Sequence, residues 1–318
     1  MIAVGANCIK LDFPYPLLGR AQMPSSNQLA KASFSRRCAA SIGIRSALAR
    51  GLPTPLRRGL KLSSQLCLDG LDLLLGRRRE LVPPRYLNFG GDGDFIETGD
   101  EFLRYFIQLG ELQPEHRVLE IGCGIGRMAR PLTKYLAKGS YDGIDIVPRG
   151  IRWCDDHFSG RYPNFRFQLA DVENREYNPG GRFRATDYQF PFKDNEFDFI
   201  YLTSVFTHMQ KNDMAHYLRE ISRTLRVNSK CLITFFLLND ESRKLISAGK
   251  SSLDFRLLQN GCWTADESLP ENALAYEEEY VRGMFAESSL ALENPQYGAW
   301  CGRNEYLSYQ DVLIARKV

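Results

Sequence analysis

Read for the spacing of its apolar and polar positions, the chain divides into a stretch without a period, one isolated helix, and a long run of alternating strand-like and helix-like segments. Residues 1–55 hold a single acid, Asp12, among scattered Arg, Ser, Ala, Gly and Pro, with no sustained apolar period, which predicts a poorly ordered leader. From Leu60 to Leu75, leucines and Cys67 recur on a broad helical face that ends in Gly76 and Arg77-Arg78-Arg79, and Pro83-Pro84 then breaks the chain. Thr98-Gly-Asp-Glu101 has the form of a capping box, with Phe102, Tyr105, Phe106 and Leu109 as the buried face of the helix it would start. Beyond it the pattern predicts strand 118–122, helix 126–137, strand 141–146, helix 148–158, strands 165–170 and 197–203, helix 211–226 and strand 230–238. In helix 211–226 the buried face is Met214, Tyr217, Leu218, Ile221 and Leu225, and His216 falls opposite. Alternation of this kind predicts a parallel sheet with helices on both faces. A helix around 276–287 and short strands at 290–293 and 311–316 end the chain. The expected organisation is a basic leader (1–55), an amphipathic helix and linker (56–85) and an α/β domain (86–318).

At 318 residues the chain is long enough to bury a full core. Its net charge of +3 hides an asymmetry, because residues 1–80 carry 13 Lys/Arg against 4 Asp/Glu and the remainder carries 28 against 34. The basic part is therefore the leader, so overall charge does not argue for a nucleic-acid or acidic ligand of the folded body. No secretory pattern or apolar run of about 18 residues occurs, which predicts a soluble, cytoplasmic protein. The Arg- and Ser-rich, acid-poor leader fits an organelle transit peptide as well as a plain tail. The leucine helix is expected to pack on its neighbouring domain, and contact of residues 60–79 with a membrane surface is the second reading. Eight cysteines stand singly, without a C-x-x-C, and the four histidines lack metal-ligand spacing with them; free thiols and no metal are expected. Gly90-Gly-Asp-Gly-Asp94 lacks the ligand set of a calcium loop and reads as a mobile segment.

The chemistry concentrates in Val118-Leu-Glu-Ile-Gly-Cys-Gly-Ile-Gly126, an apolar strand that runs into three closely spaced glycines and then a helix. Gly122 suits the tight turn, and Gly124 and Gly126 let backbone approach a ligand, which is the arrangement of a nucleotide-type site. A dinucleotide fingerprint would need glycine at 127, where this chain has Arg127, so a nicotinamide cofactor is disfavoured. Asp145 ends the second strand about 20 residues on, the separation at which an acid reaches ribose hydroxyls. Asp142, two residues into the second strand and pointing the other way from Asp145, is read as exposed. Strand 165–170 leads to Asp171-Val172, and Phe190-Pro-Phe-Lys-Asp-Asn-Glu-Phe-Asp198 leads through the fourth strand to His208.

In this order and spacing the segments resemble the class I S-adenosylmethionine-dependent methyltransferases, in particular the small-molecule group similar to enzymes of ubiquinone and menaquinone biosynthesis. The resemblance covers roughly residues 86–318. It implies a Rossmann-like, seven-stranded, mostly parallel sheet closed by an antiparallel hairpin, and S-adenosyl-L-methionine as cofactor. It assigns cofactor contacts to Glu120, Gly122, Cys123, Gly124 and Gly126, to Asp145 and Ile146, and to Asp171 and Val172, with Asp171 accepting from the adenine amino group. Glu120 would accept from the cofactor's ammonium group, and the start of helix 126–137 would offer N–H groups to its carboxylate. His208, at the carboxyl edge of the sheet, is the candidate general base. Tyr297, Trp300 and Arg303, with Tyr306, are expected at the same edge as acceptor-binding groups, and the long 172–189 segment as a functional loop. The fourth strand ends in Leu202-Thr-Ser-Val205 rather than Asn/Asp-Pro-Pro-Tyr, which speaks against methylation of base nitrogens. The implied activity is methylation of a small-molecule acceptor, at oxygen. The alternatives are an RNA or protein methyltransferase using the basic arm, or a silent binding protein on the same fold.

Overall fold

The computed structural model describes residues 54–318 apart from 78, 90–92, 176, 258–261 and 266–271. The leader, Cys8, Cys38 and most of the Gly90–Asp94 run lie outside the described residues. The elements are helix α1 (Thr54–Leu74), α2 (Phe95–Gln108), strand β1 (Arg117–Ile121), α3 (Ala129–Tyr135), β2 (Ser140–Asp145), α4 (Pro148–Cys154), β3 (Phe165–Leu169), β4 (Phe197–Leu202), α5 (Lys211–Thr224) and β5 (Leu225–Phe235). They continue as β6 (Leu237–Leu238), α6 (Asp240–Ser247), β7 (Arg256–Leu257), β8 (Cys262–Thr264), β9 (Leu274–Glu277), α7 (Glu278–Glu287), β10 (Leu290–Leu292) and β11 (Asp311–Lys317).

Seven strands form one sheet in the order β10-β11-β5-β4-β1-β2-β3. β1 pairs in parallel with β2 and with β4, β2 with β3 and β4 with β5, whereas β11 runs antiparallel to both β5 and β10. This is the Rossmann-like sheet with a closing hairpin that the sequence led us to expect. Parallel strands buried on both faces carry near-continuous apolar runs, as in Phe199, Ile200, Tyr201 and Leu202 of β4, all fully buried. One face packs Phe106 of α2, Leu132 of α3 and Phe158 beyond α4 against Val118, Tyr141 and Tyr201. The other packs Met214, Leu218 and Ile221 of α5 and Phe285 of α7 against Leu119, Ile200 and Ile233. Each buried Leu, Ile or Phe is worth about 1.5–3 kcal/mol relative to exposure, so these two layers hold the strand edge in place.

The structure corrects several expectations. Helix α2 begins three residues before Thr98, because Asp94 is its N-cap and accepts from the N–H groups of Ile96 and Glu97 at 2.9 and 2.8 Å. Asp94 thus closes the glycine-rich run as a cap. Asp142 is buried, not exposed: Arg166 Nε and Arg117 NH2 reach its carboxylate at 2.9 and 3.3 Å. His216 does not point to solvent but lies with Nε2 2.8 Å from the Tyr188 carbonyl oxygen. A second, four-stranded sheet, β6-β9-β8-β7, was not foreseen. Its strands are two to four residues long, too short for alternation to register in sequence. Finally, the leucines of α1 from Leu62 to Leu74 do not pack on the neighbouring domain; the face turned toward the body is polar and these leucines are exposed.

Candidate functional site

The parallel strands β1, β2 and β4 end together, and the glycine loop leaves β1 at that edge. Gly122 has φ +81°, and a Cβ there would stand 2.4 Å from Cγ2 of Val205 in the segment after β4. Gly126 has φ +77° and lies under the Phe158 ring, which a Cβ would meet at 2.9 Å. Both therefore owe their bareness to packing within the protein. Gly124 differs, since a Cβ on it would find only Phe89 Cε2, at 3.9 Å. The open face of the loop is at Gly124.

The loop's own N–H groups are largely committed. Gly122 and Cys123 donate to the Ile144 carbonyl at 2.8 and 3.1 Å, and Gly126 donates to Cys123 at 2.9 Å. The helix that follows starts at Ala129 rather than 126, and the Arg130 N–H donates to the Gly126 carbonyl at 3.0 Å. The expected helix start at 126 is corrected to Ala129. Arg127 NH2 instead reaches Asn88 Oδ1 at 3.3 Å, and its guanidinium lies over the Phe95 ring.

Asp145 organises this edge. Its Oδ2 accepts from Gly124 N–H and its Oδ1 from Val147 N–H, each at 2.7 Å, so one carboxylate joins the glycine loop to the turn after β2. Burial pushes its pKa up to about 6, opposed by those backbone donors. Ile146, beside it, is half-buried against the core. Glu120 is buried deeper than the sequence suggested. Its Oε2 accepts from the hydroxyls of Tyr141 on β2 and Tyr201 on β4, the latter at 2.9 Å, so it ties three adjacent strands together beneath the loop. Burial raises it to about 8, the two hydroxyls opposing and the Asp145 charge adding. Cys123 is buried with its thiol pushed well up, first by burial and then by the charge of Asp145, which makes it a packing residue and not a nucleophile.

Asp171 lies partly exposed after β3, and Arg182 Nε donates to it at 2.5 Å. The Arg182 pairing holds it below the usual carboxylate range. Val172 next to it is buried and bridges to Phe183, so the 172–189 segment closes back on itself at its base. His208 ends a short 3-10 turn, Phe206–His208, and its ring stands edge-on to Tyr177 with centroids 6.3 Å apart. Tyr177 in turn meets Phe89 at 6.3 Å. Three segments distant in sequence thus meet in a row of rings, Phe89, Tyr177 and His208, and Phe89 at one end of it lies nearest Gly124.

The acceptor-side expectations fare differently. Trp300 is fully buried and donates its indole N–H to Asp311 at 2.8 Å, in a cluster with Phe236 and Phe255. The Arg303 side chain is 3 % exposed and held by Glu241 at 2.9 Å and Asp311 at 3.3 Å. Both are corrected from acceptor contacts to internal groups of the closing segment. Tyr297 is half-buried, its hydroxyl 3.0 Å from Glu278 Oε2 and its ring under the Arg303 guanidinium. The segment does reach the expected edge, where Ser204 Oγ donates to Gln310 Oε1 at 3.0 Å.

Two contributors escaped sequence reading. Phe89 carries no motif, and its place over Gly124 and Gly150 follows only from the path of the chain before α2. Thr207, between Phe206 and His208, is 1 % exposed and its hydroxyl has no hydrogen-bond partner among the described residues. A buried hydroxyl without a partner calls for an explanation, and only the tertiary structure reveals it. No group of residues suited to a metal ion occurs among the described residues.

Residues 118–228 match a family model described as a methyltransferase domain. Phosphoethanolamine N-methyltransferase 3 of Arabidopsis thaliana is 30 % identical over 155 residues, 47 % of this chain and 27 % of that protein. Phthiotriol/phenolphthiotriol dimycocerosates methyltransferase 1 of Mycobacterium ulcerans is 29 % identical over 145 residues, 44 % of this chain and 46 % of its own length. The chain therefore spans less than half the length of these curated relatives. Among solved structures, the PH0226 protein of Pyrococcus horikoshii superposes with a TM-score of 0.50 at 16 % identity, covering 74 % of this chain and 97 % of that one, a likeness of fold.

Proposed function

We propose that this chain, whose residues 118–228 match a methyltransferase-domain family model, is a class I S-adenosylmethionine-dependent methyltransferase that methylates a small-molecule acceptor at a hydroxyl oxygen. The observation that carries the reading is the edge itself. Gly124 offers the bare face of the loop, Asp145 holds that loop by its N–H, and His208 and the orphaned Thr207 hydroxyl follow the adjacent strand. The residues fit the cofactor: Asp145 keeps acceptor capacity toward ribose hydroxyls beyond the Gly124 and Val147 N–H groups. S-adenosylmethionine supplies an electrophilic methyl group on a sulfonium. What the chain must add is alignment, exclusion of water and a destination for the acceptor's proton. The Phe89–Tyr177–His208 row shields the edge, and His208 is the residue we assign to take the proton as neutral imidazole.

The names of two relatives support a small acceptor, phosphoethanolamine in one and a dimycocerosate lipid in the other. The first favours a second reading, methylation of an amine nitrogen, in which His208 would accept the proton of an ammonium acceptor. Calorimetry with S-adenosylmethionine and NAD tests the cofactor, and tighter binding of NAD would sink the reading. Methyl transfer from labelled cofactor to hydroxyl and amine acceptors separates oxygen from nitrogen. His208→Ala should lower kcat by about 10²–10⁴-fold with cofactor affinity unchanged. Loss of affinity instead would make His208 a binding group, and wild-type kcat would remove it from the reaction.

A further inference from the structure

Helix α1 is amphipathic the wrong way round for a helix that belongs to the domain core. Along its described part, the half-buried positions are Gln65, Asp69 and Asp72. Asp69 accepts from the Arg85 backbone N–H and from its guanidinium, both at 2.8 Å, and Asp72 pairs with the same guanidinium at 2.6 Å. The helix is thus moored to the body by its polar side. Seven leucines between Leu62 and Leu75 lie on the remaining circumference, from 44 % exposed at Leu68 to 85 % at Leu74. Single exposed leucines are ordinary, but a contiguous leucine surface on one helix marks a contact site.

Charge decides what covers it. Residues 54–79 carry six Lys/Arg and only Asp69 and Asp72 as acids, and both acids are consumed by Arg85. The basic residues sit at the two ends, Arg57, Arg58 and Lys61 before the leucines and Arg77, Arg78 and Arg79 after them. Pairing with a second copy would bring like charges together whether the helices ran parallel or antiparallel. The chain's own residues 1–53 hold seven Lys/Arg and one acid, so folding them over the helix would add positive charge to positive. An apolar surface with basic ends and no free acid is complementary to an anionic lipid bilayer, with leucines in the acyl boundary and arginines at the headgroups. No helix among the described residues is long and apolar enough to cross a membrane, so the geometry is that of a helix lying in the interface.

We propose that α1 docks this protein on anionic membrane surfaces through its outward leucines and flanking arginines. The docking helix is coupled closely to the glycine loop, because the chain that Arg85 clamps to α1 continues to Phe89, whose ring packs on Gly150 and faces Gly124.

The test is flotation of the full chain with vesicles of phosphatidylcholine alone and with vesicles holding roughly a third phosphatidylglycerol. The wild type should float only with the anionic vesicles. Leu66→Gln with Leu71→Gln and Leu74→Gln should lower that binding at least about tenfold, since these side chains supply the buried apolar area. Arg77→Gln with Arg79→Gln, or added salt, should lower it several-fold through the electrostatic part. All three leucines are exposed, so thermal melting of the variants should match the wild type and exclude misfolding. A wild type that stays unbound, or a triple variant that floats as well as it, overturns the proposal. So does a lipid-free dimer in sedimentation velocity that the leucine substitutions dissolve, which would assign the face to a second copy.

Discussion

Two buried aspartates near the carboxyl edge of the sheet face the same problem and solve it differently. Asp145, at the end of β2, holds the N–H groups of Gly124 and Val147. Asp311, at the start of β11, holds the N–H groups of Gly298 and Leu237 at 2.7 Å each. Burial raises both to about 6, against the pull of these donors. Asp311, however, also takes the Trp300 indole N–H and the Arg303 guanidinium and is fully buried. Asp145 is 8 % exposed, and among the described residues no ion pair reaches it. A carboxylate saturated by protein donors is a strut. One that holds two backbone groups and no cation keeps acceptor capacity, which the proposed function assigns to a ligand.

Asp311→Ala should produce the largest effect on stability, because it frees four donors at once, one of them the buried Arg303 guanidinium, and leaves Arg303 only Glu241 as an ion-pair partner among the described residues. We expect a loss of about 3–5 kcal/mol in denaturant unfolding, with cofactor affinity of the folded fraction retained. Normal stability would mean that the closing segment does not depend on this strut and that the contrast between the two aspartates is false.

Glu120 sharpens the contrast by adding a third buried carboxyl beneath Asp145. Its folded pKa, about 8, lies above the ordinary carboxylate value of 4.5 because burial disfavours the charge. The folded state then binds the proton more tightly than the unfolded state. The associated stability is full below about pH 4.5 and is lost as pH rises through about 8. Melting temperature should therefore fall between pH 5 and pH 9 in the wild type and fall less in Glu120→Gln, which should be the more stable by about 2–4 kcal/mol at the alkaline end. Parallel pH profiles would show that Glu120 titrates as it does when unfolded.

Asp145→Ala should have the smallest stability effect and the more specific functional one. Leaving the Gly124 and Val147 N–H groups without their acceptor costs about 1–3 kcal/mol. S-adenosylmethionine affinity, measured calorimetrically, should fall by about 1–3 kcal/mol through lost ribose contacts. If affinity survives while stability drops, Asp145 is a strut like Asp311.

Much of this site was legible before any coordinates. The glycine loop, the acid at the end of the second strand and the turn after the fourth are each local: a strand period of two, a glycine spacing, a carboxylate at a fixed interval. Trp300 and Arg303 were misread because sequence shows that a segment reaches an edge but not which side of it a side chain takes. Burial of Trp300 depends on Phe236 and Phe255, and the place of Arg303 on Asp311 and Glu241. Asp142 was misread for the same reason, since its cations come from β1 and β3.

What the sequence determined by itself was the alternation of strands and helices and the glycine turn after the first strand, because short-range periodicity and backbone geometry dictate these; the seven-strand order and its closing hairpin came from the family resemblance. What only the tertiary structure decided was which polar groups are shared. Glu120 belongs to Tyr141 and Tyr201, Thr207 has no hydrogen-bond partner among the described residues, and α1 turns its acids inward to Arg85 and the leucines from Leu62 on outward. Burial and hydrogen-bond satisfaction are properties of neighbours brought together from distant positions, and no local pattern in the chain specifies them.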